Sequence, residues 1–200
     1  MTRPLFHYDL NCPWSWIAAE RISGAFNEAG AELPEWRPVA ASRLVGGSER
    51  RPDPDRTRAE VLKRATEIGL AEPRFPAGWP DETDSETALL GVLYAAEAGR
   101  VIAVSLAAFR QQFAAGRSLA DPDNVMIAAA SCELHPNAVS KGIESSAIAR
   151  RLDENHHQAE VLGVTMTPTV SVGTDLFEGE GSIEAAVLAN LDASQAEREQ

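Results

Sequence analysis

The stretch Phe6-His7-Tyr8-Asp9-Leu10-Asn11-Cys12-Pro13-Trp14-Ser15-Trp16 passes from one kind of local order to another within a few residues. From Leu5 to Leu10 the alternation puts Phe6, Tyr8 and Leu10 on one side, and the segment is short, which predicts a core strand. Asn11 ends it. From Pro13 to Ala29 the residues Trp14, Ala18, Ile22, Ala25, Phe26 and Ala29 recur three or four apart, the spacing of an apolar helix stripe, and Gly30 supplies the stop. Cys12 therefore falls at a helix N-terminus, where the first backbone N–H groups lack partners and carry partial positive charge. A thiolate is favoured there, so the thiol is expected to titrate below its unperturbed pKa of about 8.5. Pro13 suits the first helical position, where a fixed φ and a missing donor cost nothing.

Outward from this segment, Leu33 to Val39 carries Trp36 and Val39 between Pro34 and Pro38 and reads as a second strand near a sheet edge, because proline cannot donate to a ladder. Ser42 to Asp55 is polar and holds Gly46-Gly47, Pro52 and Pro54, an exposed connection. A helix begins near Asp55, with Val61, Leu62, Ala65 and Ile68 as its stripe and Gly69 as its end. Glu72 to Asp84 contains Pro73, Pro76 and Pro80 with Phe75 and Trp79, which predicts an ordered loop anchored by aromatics. Helical patterning returns from Ser85. One helix runs to Gly99, a second to Gly116, a third from Pro122 through Cys132, and a fourth from Pro136 through Ile148 to Leu162. Val164 to Val172 then reads as a strand, Gly173-Thr174-Asp175 as a hairpin turn, Leu176-Phe177 as its return, and Ser182 to Leu191 as a last helix. The order is βαβ, a helical block, then ββα. The expected division is 1–54 with 151–193 as one domain, 55–150 as a helical insertion, and 194–200 as a frayed tail.

Composition narrows the function. A chain of 200 residues, 44% hydrophobic, is long enough to bury a sizeable core. Its net charge of −12 argues against unspecific binding to nucleic acid or anionic membrane, both of which need a basic face. The first residues show no apolar stretch of signal-peptide kind and no window approaches ~18 apolar residues, so cytoplasm is the expected location. Cys12 and Cys132 are the two cysteines, too few for a disulfide framework, and no structural metal site is expected.

The element order, with C-x-x-S after the first strand and Thr167-Pro168 before the penultimate one, resembles the DsbA-like branch of the thioredoxin fold, an α/β fold with a central helical insertion. Arg74-Phe75-Pro76, Phe113-Ala114-Ala115-Gly116-Arg117 and Ala120-Asp121-Pro122 resemble the insertion of FrnE-type proteins and 2-hydroxychromene-2-carboxylate isomerases. Leu162 to Thr169 resembles the family's cis-proline loop. Three branches give Cys12 different tasks. In the oxidoreductases the motif is C-P-W-C, and the position of the resolving cysteine is Ser15 here, which leaves a monothiol cycle released by a second small thiol. In kappa-class glutathione transferases and the isomerases the motif resembles S-P-Y-S-W, which Pro13, Ser15 and Trp16 match. There the first residue donates a hydrogen bond to a bound thiolate. Those relatives hold glutathione with an Asp-Arg pair where this chain has Glu180, Gly181 and Ser182. Mycothiol-dependent reductases have C-P-W-C-W and a His-His pair, which Trp14, Trp16 and His156-His157 resemble.

The resemblance implies a thiol–disulfide oxidoreductase with Cys12 as nucleophile and Ser15 as hydrogen-bond donor to it. Pro13 and Trp14 would shape the turn, Trp14 and Trp16 would rim the substrate, and Thr167-Pro168 would dock it. No tightly bound cofactor is implied; glutathione or mycothiol is the co-substrate, with small disulfides and protein mixed disulfides as partners and a monomer or homodimer as the assembly. The alternatives are a kappa-like transferase or cis–trans isomerase, and a thioredoxin-like binding module without chemistry. For the other candidates the residues favour structural roles. Cys132 in an Ala-rich helix reads as buried and inert, with a remote resolving role as the alternative. Adjacent His156 and His157 point about 100° apart on a helix, against joint metal binding. His7 alternates away from Phe6 and Tyr8, and Glu20 and Glu28 read as a solvated face.

Overall fold

A computed structural model describes residues 3–47 and 53–198. The first strand, β1 (Leu5–Tyr8), leads through a four-residue turn into α1 (Pro13–Glu28), which returns the chain to β2 (Glu35–Pro38), parallel to β1 and at the sheet edge. This is the β-α-β crossover the sequence predicts. The sheet order is β2-β1-β3-β4, with β3 (Thr169–Val172) and β4 (Asp175–Glu178) forming an antiparallel hairpin against β1. Between β2 and β3 lie α2 (Pro54–Glu67), α3 (Glu86–Glu97), α4 (Val101–Phe109), α5 (Pro122–Ser131), α6 (Pro136–Ile143) and α7 (Ser146–Leu162). The last helix, α8, spans Ile183–Arg198.

The two faces of the sheet differ in chemistry. On one, Phe6 and Tyr8 stack at 5.2 Å and meet Trp36 edge-on at 5.1 and 5.3 Å, a buried aromatic cluster that continues into α1, α3, α4 and α8. Tyr8 ties this cluster to α4: Ser105 donates to the Val101 carbonyl at 2.7 Å, so the Tyr8 hydroxyl is the donor in its 2.6 Å bond to Ser105. On the other face α7 packs over polar groups. Asn155 accepts from Arg37 and donates to the Pro38 carbonyl, and His156 accepts from Ala40 N–H at 2.8 Å while donating to the Leu152 carbonyl. One hydrophobic core thus joins sheet and helical block.

Four expectations change. The helix expected from Pro136 to Leu162 is two helices, because Ser145 leaves the helical conformation and caps α7 by accepting from Ala147 N–H. The residue 150/151 boundary therefore falls inside α7. The strand expected from Val164 starts only at Thr169, since Pro168 has no donor for a ladder and the 164–168 segment turns toward Cys12. Residues 194–198, expected to fray, extend α8, with the buried Ser194 hydroxyl donating to Asn190. Among the described residues no helix is long and apolar enough to cross a membrane.

Candidate active site

The chain leaves β1 into a turn closed by Cys12 N–H donating to the Asp9 carbonyl at 3.0 Å. Cys12 then takes the extended conformation of a helix N-cap (φ −97°, ψ 114°), and its carbonyl receives Trp16 N–H at 3.2 Å as the first helical bond. Pro13 follows at the first helical position, as the sequence dictates. The Cys12 thiol donates to the Thr167 carbonyl at 3.3 Å. The Thr167–Pro168 peptide bond is cis, and the loop that carries it is pinned by Gly179 N–H on the Pro168 carbonyl (2.8 Å) and by the Thr169 hydroxyl on the Met166 carbonyl. Two distant parts of the chain, Cys12-Pro13 and Thr167-Pro168, therefore meet as expected.

Cys12, Pro13 and Thr167 border a cleft of about 420 Å³, whereas Pro168 does not line it. Its remaining walls come from the 41–47 turn and from the 79–85 loop, where Trp79 supplies an aromatic side. Asn11 binds these walls together. Its side chain donates to the Thr83 carbonyl (2.8 Å) and accepts from the Thr83 hydroxyl (2.8 Å) and from Gln112 (2.9 Å), while its carbonyl receives the Trp79 indole N–H (3.1 Å). Asp9, 6% exposed, does the same at the cleft floor: its carboxylate accepts from Asn11 N–H, Ala41 N–H and the Ser85 hydroxyl at 2.6–2.8 Å. Asp9, Asn11 and Trp79 were not foreseen as site residues. A carboxylate and an amide inside an apolar strand exit were the available signal.

The thiol does not titrate as its helix position alone suggests. Burial pushes Cys12 up from the ordinary thiol value, and the buried Asp9 carboxylate adds to this; the Ser15 hydroxyl and N–H and the Thr167 side chain pull the other way without prevailing. The helix-terminus expectation of a lowered value is corrected by desolvation. Cys12 itself is half-buried and opens on the cleft. Ser15 lies behind it, fully buried, with its oxygen accepting Asp9 N–H at 3.4 Å.

Several flanking residues lie elsewhere than expected. Trp16 is 1% exposed, stacked on Phe113 at 6.0 Å, with its indole N–H on Glu20, so it is a core residue and no part of a substrate rim. Trp14 is half-buried against the core and does not line the cleft. Glu20, read as solvated, is held by Arg110 through two bonds of 2.8 and 2.7 Å. Cys132 is half-buried at the end of α5. Glu180, which precedes the Gly181-Ser182 positions that the resemblance aligns with a charged pair, is taken up by Arg21 and Arg64. His156 and His157 border a second cavity of about 300 Å³, but the His156 ring is spent on Ala40 and Leu152. Among the described residues no cluster of three or more His, Cys, Asp or Glu could hold a metal ion.

Comparison with known proteins agrees with this geometry. The family model of the DSBA-like thioredoxin domain matches residues 5–190. No curated protein sequence matches significantly. Among solved structures, a 2-hydroxychromene-2-carboxylate isomerase superposes with a TM-score of 0.76 at 19% identity, covering 98% of each chain. A probable DsbA oxidoreductase from Streptomyces coelicolor gives 0.79 at 19% identity, over 96% of this chain and 90% of that one. The cytosolic disulfide reductase DsbM from Pseudomonas aeruginosa, solved with GSH, gives 0.67 at 16% identity, over 98% and 99%.

Proposed function

Because the chain belongs to the DSBA-like thioredoxin-domain family, we propose that it is a thiol–disulfide oxidoreductase that works through Cys12 alone, with a low-molecular-weight thiol, glutathione or mycothiol, as co-substrate. The observation that supports this most is the Cys12 sulfur at the head of α1, open to a cleft and 3.3 Å from the carbonyl that precedes Pro168. Cys12 loses its proton and the thiolate attacks one sulfur of a disulfide, RS–SR. A Cys12–SR mixed disulfide forms and RS⁻ leaves. A second thiolate, R′S⁻, then attacks the R sulfur, forming R′S–SR and releasing the Cys12 thiolate. Electrons balance at each step, and the net reaction reduces one disulfide while making another.

Ser15 cannot resolve the intermediate, but its buried hydroxyl and N–H face the sulfur and favour its anion. Thr167-Pro168 docks the incoming sulfur compound beside Cys12. Because burial raises the thiol, exchange accelerates with pH through and beyond the ordinary thiol range. The test is reduction of a small disulfide in the presence of excess thiol. Cys12→Ala abolishes turnover on this reading, and Ser15→Cys, by restoring C-P-W-C, makes release independent of the second thiol. Turnover in Cys12→Ala equal to the parent rejects it.

A second reading has one observation in its favour. The protonated Cys12 thiol is already a hydrogen-bond donor, to Thr167, and burial favours that form. A donor there could hold a bound thiolate, as in kappa-like transfer or cis–trans isomerisation. Activity kept in Cys12→Ser and lost in Cys12→Ala selects this reading over the first.

A further inference from the structure

One wall of the cleft hangs on two successive backbone amides. Ala40 N–H donates to His156 Nε2 of α7 at 2.8 Å, and Ala41 N–H donates to the Asp9 carboxylate of the cleft floor at 2.7 Å. The turn that follows is a compact body. Arg43 N–H returns to the Ala40 carbonyl, Leu44 N–H to that of Ala41 and Gly47 N–H to that of Leu44, and a side chain at Gly47 would come within 1.9 Å of the Ala41 carbonyl. Ala41, Ser42 and Gly47 of this body line the same cleft as Cys12. A displacement of Ala40 therefore carries the wall with it.

The two acceptors respond differently to a proton. A carboxyl group keeps an acceptor oxygen when protonated, whereas a neutral imidazole has one acceptor nitrogen and an imidazolium has none. The His156 ring, 8% exposed, donates from Nδ1 to the Leu152 carbonyl at 2.7 Å, so a second proton lands on Nε2, facing Ala40 N–H. Two donors then oppose each other, and the new charge meets Arg43 on the turn itself. Burial first, and Arg43 second, already hold the ring below the ordinary histidine range. Among the described residues around it, Asp153 and Glu86 of α3 both pair with Arg43, Arg37 of β2 is held by Glu35 and Asn155, and His157 and Glu160 border the same cavity. Asp9 is faced by Asp84 and the Cys12 thiol. Resting on the exchange reaction assigned to Cys12, we propose that His156 is a positioning residue for the cleft: its neutral ring holds the 41–47 turn in place as a wall, and its protonation releases the turn and opens Cys12 to sulfur partners.

The experiment follows amide hydrogen exchange of the full chain by NMR between pH 7.5 and 5, each rate divided by the unstructured rate at that pH. Ile22, buried in the middle of α1, reports global opening. A ring free to titrate near 6.5 once the turn is released bounds the acid effect at about thirtyfold at pH 5, and protection at Ala40 is expected to fall by roughly tenfold more than at Ile22. In parallel, the rate at which Cys12, read by peptide mapping, forms a mixed disulfide with dipyridyl disulfide, divided by that of N-acetylcysteine at the same pH, rises as pH falls. Both trends vanish in His156→Gln, whose side-chain oxygen accepts from Ala40 without titrating, and persist in His157→Gln, a change at the exposed neighbour. Glu49, Arg50 and Arg51 follow the turn in sequence and keep their charges in both variants and the parent, so the comparison cancels their contribution. Parallel losses at Ala40 and Ile22, an equal acid step in His156→Gln, or a normalised rate at Cys12 that stays flat with pH overturns the proposal while leaving exchange at Cys12 intact. No adduct at Cys12 at any pH removes the exchange reading, and the positioning role falls with it.

Discussion

Acid should weaken this fold through His7, and the loss can be worked out from its surroundings. The ring is fully buried on β1, with Nε2 3.4 Å from the Ser171 hydroxyl and no partner for Nδ1. The favourable tautomer carries its proton on Nε2 and leaves Nδ1 as a bare acceptor. A second proton would sit at Nδ1 facing nothing that can accept it, with the charge of Arg37 one strand away. Burial first, and Arg37 second, lower the His7 pKa from 6.5 to about 4. The unfolded chain therefore binds the additional proton in that interval and the native chain does not. The stability that the neutral ring contributes is complete above pH 6.5 and is lost as pH falls toward 4. Over the whole interval this amounts to about 3 kcal/mol, and between pH 7.5 and 5 to about 2 kcal/mol. His156, also lowered by burial, acts in the same sense, and Asp9, a carboxyl raised by burial, in the opposite one. Urea unfolding followed by circular dichroism at pH 7.5 and 5, on the parent and on His7→Leu, isolates the ring. The variant should lose about 2 kcal/mol less than the parent across that range. Arg37→Met, which removes the second cause while keeping the ring, should reduce the loss by a smaller amount. Equal losses in parent and His7→Leu would refute the reasoning.

Three further outcomes follow from particular contacts. Asn11→Ala leaves the Thr83 carbonyl and the Gln112 amide without this partner, while the Thr83 hydroxyl keeps the Pro80 carbonyl, at a cost of about 1–3 kcal/mol for each buried group orphaned, and speeds alkylation of Cys12 as the cleft walls loosen and the thiol loses burial; thermal unfolding and iodoacetamide kinetics read the two effects. Gly142→Ala places a methyl group 2.3 Å from the Tyr94 ring where α6 crosses α3, so the helices must part, lowering stability by about 1–3 kcal/mol in chemical denaturation. Trp16→Phe, which keeps an aromatic ring on Phe113 in the core, lowers the melting temperature but leaves the disulfide-exchange rate of the folded protein unchanged, since the indole never reaches the cleft.

The parts of this fold that the sequence reveals are those in which one local rule acts alone. Apolar spacing from Trp14 to Phe26, Pro13 at the first helical position and Gly30 after the last turn specify α1 almost to its ends. Pro34 and Pro38 flanking Trp36 place β2 at an edge. What was hidden depends on contacts between segments far apart in sequence. Periodicity carries through Glu144 and Ser145, so nothing in the apolar pattern separates α6 from α7; a serine cap does. Trp16 and Trp14 look alike as rim candidates, and only the position of Phe113 shows that Trp16 is enclosed. Asp9 is one acidic residue among thirty in the chain until Ala41 and Ser85 arrive from elsewhere to hydrogen-bond it. The thiol shows the same division. Its place at a helix N-terminus is a local property, whereas its raised pKa comes first from burial by segments distant in sequence and then from the charge of Asp9.

The account turns on whether the Cys12 sulfur can be reached and exchanged. Intact-protein mass spectrometry with peptide mapping, after brief treatment with an uncharged disulfide followed by excess uncharged thiol, measures this directly. A single adduct on Cys12, formed faster as pH rises and removed completely by the thiol, is the predicted result. An adduct confined to Cys132, or none at Cys12 across the pH range in which the protein stays folded, would contradict it.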